Sequence, residues 1–272
     1  MHPILIDFGW HDLPYFGSTH LFLPTYGVLF ATGALLAWVW FVKRARALNL
    51  PQDPVFNLAF YTLLSGLLGA KLALILVDLP YYLAHPVDVL GTIRSAGVLM
   101  AGIAGGAIAF VLYARARKLP IRELGDAIAA PLAPAQGIGR LGCFAAGCCW
   151  GVETSGWCAV RFTDDAAHAQ TGVPLDVPLV PVQLLQAAFD LTLCLLLTWM
   201  WRRRPRPAGT VFWTYLILYG IGRGSLEVLR GDSVRGLWWN GAVSTSQLFS
   251  ALAVIVGAVF LVVERRRQPA RA

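Results

Sequence analysis

Apolar runs of about 20 residues recur along this 272-residue chain, and they constrain its fold more than any other feature. A run of that length, wound as a helix, crosses the hydrocarbon core of a bilayer. Seven such spans are expected, at about 23–42, 57–78, 96–114, 124–142, 182–201, 210–229 and 242–263. Composition agrees: 14% of residues are charged, against about 25% in soluble globular domains. The expected fold class is therefore all-α, a polytopic membrane protein of about seven transmembrane helices forming one integral membrane domain over 1–272. No basic segment precedes the first apolar run, so a cleaved signal peptide is not expected. Pro131 and Pro134 interrupt the fourth span. Neighbouring helices can re-satisfy the backbone groups that proline frees, and such places often lie beside a site.

Charge then orients the chain. Lys43, Arg44 and Arg46 follow the first span, and Arg115, Arg117, Lys118 and Arg122 the third. Arg202, Arg203, Arg204 and Arg206 follow the fifth, and Arg265, Arg266 and Arg267 the seventh. With seven spans all these clusters fall on one side, which the positive-inside rule makes cytoplasmic. The N-terminus is then outside and the C-terminus inside, in the plasma (inner) membrane. The net charge of +7 is used up in this pattern and in contact with anionic membrane lipid, so no nucleic-acid partner is expected. The long outer segment at about 143–181 is expected to form a small external cap, because its Gly, Pro and paired acids alternate with short apolar stretches. The outer loop 79–95 carries two Tyr and suits the membrane interface.

A charge at bilayer depth costs on the order of 2.5–3.5 kcal/mol, so each one asks for a reason. Arg223, Glu227 and Arg230 are spaced i, i+4 and i+7 on one helical face. Gln183, Gln186 and Asp190 share another. Tyr26, Lys71, Arg140 and Gln247 lie on four further spans, and all of these groups fall near the outer leaflet. Taken singly, Arg223–Glu227 reads as a structural helix pair, Lys71 as a snorkelling side chain and Gln183 as an interhelical hydrogen bond. Taken together they make a site. Arginine binds phosphate bidentately, and a phosphate at that depth belongs to a phospholipid. Gly139 and Gly142, flanking Arg140, would let a ligand approach the backbone closely.

Cys143, Cys148, Cys149 and Cys158 are expected on the outer side, where a disulfide or packing ranks ahead of catalysis. Cys194 reads as a small core residue. The cysteine intervals suit zinc poorly, and neither a metal nor an organic cofactor is expected. The absence of Cys-x-x-Cys argues against a thiol oxidoreductase, and the absence of a repeat argues against a transporter.

The run "GRLGCFAAGCCWG" at 139–151 resembles the signature of the prolipoprotein diacylglyceryl transferase family, close to G-R-x-G-N-F-x-N-G-E-x-x-G. "PTYGVLF" at 24–30, "DAIAAPLAPAQGIGRLG" before the signature, "PVQLLQ" at 181–186, "YGIGRGSLEVLRGD" and "STSQLFS" at 244–250 resemble further family segments in the same order. The resemblance implies seven spans with the N-terminus outside. It also implies transfer of diacylglycerol from phosphatidylglycerol to the lipobox cysteine of a prolipoprotein peptide, releasing glycerol phosphate. Tyr26, Arg140, Gly151, Arg223 and Glu227 carry over, with Gly139, Gly142, Arg230, Lys71, Gln183 and Gln247 as substrate-binding candidates. Glu227 and Tyr26 are the candidate bases for the acceptor thiol. The chain also departs from the family. The signature Asn is Cys143 and its Glu is Cys148, while Val180, Gln186 and Ala101-Gly102 stand where members carry His, Glu and a His-Gly pair. The phosphate-gripping half is kept and the proton-handling half is changed. That pattern leaves two alternatives: a divergent paralogue with another acceptor, or a lipid-binding membrane protein without turnover.

Overall fold

The computed structural model describes residues 2–13, 17–92, 97–203, 206–232, 236–239 and 241–267. It is mostly helical and opens with a β-hairpin, β1 (Ile4–Leu13) antiparallel to β2 (Gly17–Pro24). There follow α1 (Thr25–Arg46), α2 (Gln52–Val77), α3 (Leu79–Ala84), α4 (Asp88–Gly91), α5 (Leu99–Ala116), α6 (Ile121–Ala146), α7 (Asp165–Thr171), α8 (Val182–Arg202) and α9 (Thr210–Glu227). The short strands β3 (Leu237–Trp238) and β4 (Val243–Ser244) pair before the last helix, α10 (Thr245–Arg267).

The seven expected spans coincide with α1, α2, α5, α6, α8, α9 and α10, each at least 18 residues long. Five of these, α1, α2, α5, α8 and α10, are long and apolar enough to cross a membrane. The other two carry more ionisable groups, with Asp126 and Arg140 in α6 and Arg223 and Glu227 in α9. The apolar helices leave large side chains uncovered, as Leu195 at 73%, Leu76 at 65% and Ile255 at 60% exposure illustrate. Such surface is stable in lipid, not water, and marks an integral membrane protein. Arg204 of the basic clusters lies outside the described residues, as do 93–95 of the outer loop.

The chain forms two compact units. One holds Met1–Val39 and Gly125–Ala272; the other holds Trp40–Leu124. In the second unit α2 and α5 pack through a seam of small residues. A methyl group added at Gly69 would stand 2.9 Å from the Ala101 carbonyl oxygen, and one at Gly105 2.8 Å from that of Ser65. The helices can approach this closely only because these positions lack a side chain.

In the first unit, α6, α8, α9 and α10 pack with the start of α1. Asp126 joins α6 to the start of α9. One carboxylate oxygen accepts from the Gly209 N–H at 3.0 Å and the other from the Phe212 N–H at 2.9 Å, with Arg206 Nε 3.7 Å away. It thus supplies from another helix the cap that Gly209, having no side chain, cannot. The α6–α8 connection has a small core of its own, made by Phe162, Ala167, Val173 and Leu179, with Phe144, Trp150 and Val177 against it. Isolated bridges tie Glu153 and Val160 to Leu179, and Phe162 to Leu175. Asp164 caps α7 by accepting from the Ala167 N–H, and the Thr171 hydroxyl donates to the Gly147 carbonyl at 3.0 Å.

Candidate functional site

The site assembles at the C-terminal ends of α6 and α9 and the N-terminal end of α8. Glu227, only 1% exposed, accepts from Arg223 Nη1 at 2.6 Å, and Arg230 Nη1 lies 3.5 Å from the same oxygen. Asp232 then holds Arg230 as a fork, with Nε to Oδ1 at 2.8 Å and Nη2 to Oδ2 at 2.5 Å. Burial opposes the charge on Arg230, but Asp232, with Cys149 and Glu227 adding, holds its guanidinium above the ordinary range. Arg140 lies within electrostatic reach of Arg223 and Arg230 and is hydrogen-bonded to Tyr219. Three arginines therefore converge where an arginine beside another normally repels it. Such a concentration of guanidinium groups, two of them anchored by carboxylates, suits an anion of more than one negative charge.

The loop that carries Arg230 is fixed by backbone. Gly151 and Arg230 form an isolated antiparallel bridge. Beside it the Val152 N–H donates to the Leu229 carbonyl at 2.9 Å and the Gly231 N–H to that of Trp150 at 3.0 Å. Any side chain at Gly151 would overlap the Val180 carbonyl oxygen and stand 2.8 Å from Val180 Cβ and Val182 Cγ2. The signature glycine thus serves a close backbone crossing.

The two signature glycines that flank Arg140 differ from one another. Both lie inside α6, where backbone N–H groups are spent on the helix. A methyl group at Gly142 would stand 3.2 Å from Tyr26 Cδ2, so glycine there lets α1 cross α6 closely. A methyl group at Gly139 would meet nothing within 4 Å, so open space lies on that face of α6. Tyr26 is brought within electrostatic reach of Arg140 and of Cys143, Cys148 and Cys149.

On α8, Gln183 donates to the Cys148 carbonyl at 2.8 Å, and Gln186 donates to Asp190 Oδ1 at 3.0 Å. Gln183 Oε1, Gln186 Oε1 and Asp190 Oδ2 are buried acceptors without a hydrogen-bond partner among the described residues. Asp190 faces Arg140 and Arg223 electrostatically. Gln247 takes a different part. Its Oε1 accepts from the Ser244 N–H at 2.9 Å, while its own N–H donates to Ser244 Oγ at 3.2 Å. That reciprocal pair is a capping box, so the S-x-x-Q segment starts α10. Lys71 belongs to the other unit, where its Nζ donates to the Thr92 carbonyl at 2.5 Å.

None of the five cysteines is in a disulfide, so of the two roles expected for the outer four, a disulfide or packing, the first is not met. Three of them meet: the sulfurs of Cys143, Cys148 and Cys149 all lie within 4.8 Å of one another, a group able to hold a metal ion. Linear spacing hid this. The Cys148 N–H donates to the Cys143 carbonyl at 3.1 Å as α6 ends, and Cys149 adopts a left-handed φ of 61° that a β-carbon disfavours. These turns fold adjacent residues onto one point. Hydrogen bonds from Cys143 and Cys148, helped by Arg230 and Arg140, hold the Cys149 thiol well below the ordinary thiol range. Cys148, which hydrogen-bonds Cys143 and Cys149, is pushed above that range. Sequence reasoning missed Tyr219 and Asp232. Asp232 closes the "RGD" that ends the quoted α9 segment, and its place two residues after Arg230 was the available signal.

Fold and site together define a mostly helical integral membrane protein with a buried cluster of three arginines in one of its units. Comparison with known families narrows this. The sequence profile of the prolipoprotein diacylglyceryl transferases matches residues 16–263, and the chain belongs to that family. It is 34% identical over 243 residues to the phosphatidylglycerol–prolipoprotein diacylglyceryl transferase of Clostridium tetani, covering 89% of this chain and 94% of that one. It is 32% identical over 262 residues to the enzyme of the same name from Geobacter sulfurreducens, covering 94% and 96%. A second such enzyme from Clostridium perfringens is 32% identical over 237 residues, covering 87% and 89%.

Proposed function

We propose that this chain transfers the diacylglyceryl group of phosphatidylglycerol to the lipobox cysteine thiol of prolipoproteins, releasing glycerol phosphate. The observation that carries the reading is the convergence of Arg140, Arg223 and Arg230 around Glu227 in a chain of this family. The acceptor thiolate attacks the glycerol carbon that bears the phosphate ester. A carbon–sulfur bond forms, the carbon–oxygen bond breaks, and the electron pair leaves on the phosphate oxygen. Arg140 and Arg223 meet the charge that grows there, in a site that needs no reorganisation. Glu227 and Asp232 hold Arg223 and Arg230 in place. The open space at Gly139 admits the headgroup. Gln183, Gln186 and Asp190 offer unpartnered acceptors for its hydroxyl groups. Tyr26 or Glu227 takes the proton of the incoming thiol, and the pair Y26F and E227Q separates the two.

Seven spans in a single membrane domain, with the N-terminus outside the plasma (inner) membrane, complete the proposal. It is supported by the basic residues that close α1, α5, α8 and α10 alike. The test is complementation: this chain is expressed in a bacterium depleted of its own enzyme, and a reporter lipoprotein is followed by mass spectrometry. A diacylglyceryl adduct on the lipobox cysteine is expected. R140A or R223A should lower turnover about 10²–10³-fold, the effect of losing one donor to a developing oxyanion. Full turnover by both variants, or an unmodified reporter in cells that hold the folded protein, would refute the proposal.

A further inference from the structure

We propose that Cys143, Cys148 and Cys149 form a binding site for a soft d10 cation, copper(I) in the first place. Their three sulfurs lie within 4.8 Å of one another, close enough for one ion to bind all three after small side-chain rotations. Among the described residues no histidine, carboxylate or further cysteine joins the group. A three-sulfur set without a fourth ligand suits copper(I). Zinc takes four ligands in its structural sites, and magnesium and calcium take oxygen.

The surroundings fit such an ion. Each ligating thiol gives up its proton on binding, so three thiolates and one monovalent cation carry a net charge of about −2. Arg140 and Arg230 both act electrostatically on Cys149, and Arg140 on Cys143, so two guanidinium groups stand ready to balance that charge. The second shell is also present. Gln183 fixes the Cys148 backbone from α8, and the backbone bond from Cys148 to the Cys143 carbonyl fixes the first two ligands relative to each other. The left-handed Cys149 brings the third sulfur back to the other two. Cys143 and Cys148 are also two of the three places where this run departs from the family signature, the third being Ala146.

The experiment uses the whole protein, purified in detergent, kept anaerobic and reduced with a phosphine. Copper(I) is titrated in competition with a chromogenic chelator. One ion per chain is expected. C143S, C148S and C149S should each weaken binding by more than the roughly 10–100-fold that loss of a supporting group costs. C158S and C194S should leave it unchanged. Serine keeps the backbone bonds of the loop, and a second measurement needs no variant: copper(I) should protect these three cysteines of the wild type from maleimide, read by mass spectrometry. No binding by the reduced protein, binding that survives all three substitutions, or a preference for zinc would each overturn the site. Binding is read directly, so the result stands apart from transferase activity.

Discussion

Gly151→Ala isolates what the signature glycine does. The added methyl group would overlap the Val180 carbonyl oxygen and press on Val180 Cβ and Val182 Cγ2, both at 2.8 Å. Two responses are open to the chain. It can keep its bonds and bear the overlap, which for an overpacked site costs about 1–3 kcal/mol, toward the upper end here because a carbonyl has no rotamer to change. Or it can open the crossing and lose the Val152–Leu229, Gly231–Trp150 and Val180–Val152 backbone bonds. At about 1 kcal/mol each, that also costs about 3 kcal/mol. Both routes agree, and 1.4 kcal/mol is a factor of ten, so protection of the Val152 and Gly231 amides from hydrogen exchange should fall roughly 100-fold. Arg230 is bridged to Gly151 and would lose its seat, so transfer should fall as well. Gly91→Ala is the control, since a methyl group there meets nothing within 4 Å. Unchanged protection at Val152 and Gly231 in the Gly151 variant would refute the account of the crossing.

Two further outcomes are expected. Gly139→Ala should keep or raise the thermal midpoint, because alanine in a helix is favoured over glycine by about 0.5–1 kcal/mol and this methyl group meets nothing within 4 Å. It should nevertheless raise the apparent KM for phosphatidylglycerol; an unchanged KM would show that the space at Gly139 is not the headgroup's. Asp126→Ala should destabilise the protein by roughly 2 kcal/mol, the upper end for loss of a helix cap, with Asp126→Asn milder because its amide oxygen still accepts. Thermal melts in detergent decide this, and turnover per folded molecule should be unchanged, since Asp126 acts at the other end of α9 from Glu227.

The long helices were legible because bilayer thickness sets their length and apolar runs mark them. The expected 182–201 and 210–229 became Val182–Arg202 and Thr210–Glu227. The N-terminal hairpin was not legible. Leu5, Ile6, Phe8 and Trp10 are all exposed, so no alternation of buried and exposed residues marks β1. Arg140, Arg223 and Glu227 stood out because charge is rare at that depth. Asp126 did not, because its partners lie 83 and 86 residues away and nothing local signals them. The cysteine trio was hidden for a similar reason: its members meet through a left-handed residue after a helix end, which interval rules do not register. Gln247 was visible as a polar residue at a span's start, and a capping box would have explained it from the Ser244 spacing alone.

The long reach of Asp126 also bears on how the molecule is made. Chains are synthesised from the N-terminus, at about 5–20 residues per second. The carboxylate therefore leaves the ribosome several seconds before the Gly209 and Phe212 amides that it serves. As α9 winds, its first turn has no local side chain to satisfy those amides, because Gly209 stands at its cap. The waiting carboxylate of α6 gives the late helix a reason to settle in one place. A fault at Asp126 would then appear first as a biogenesis defect, with α9 formed but not docked and the nascent protein cleared by proteases.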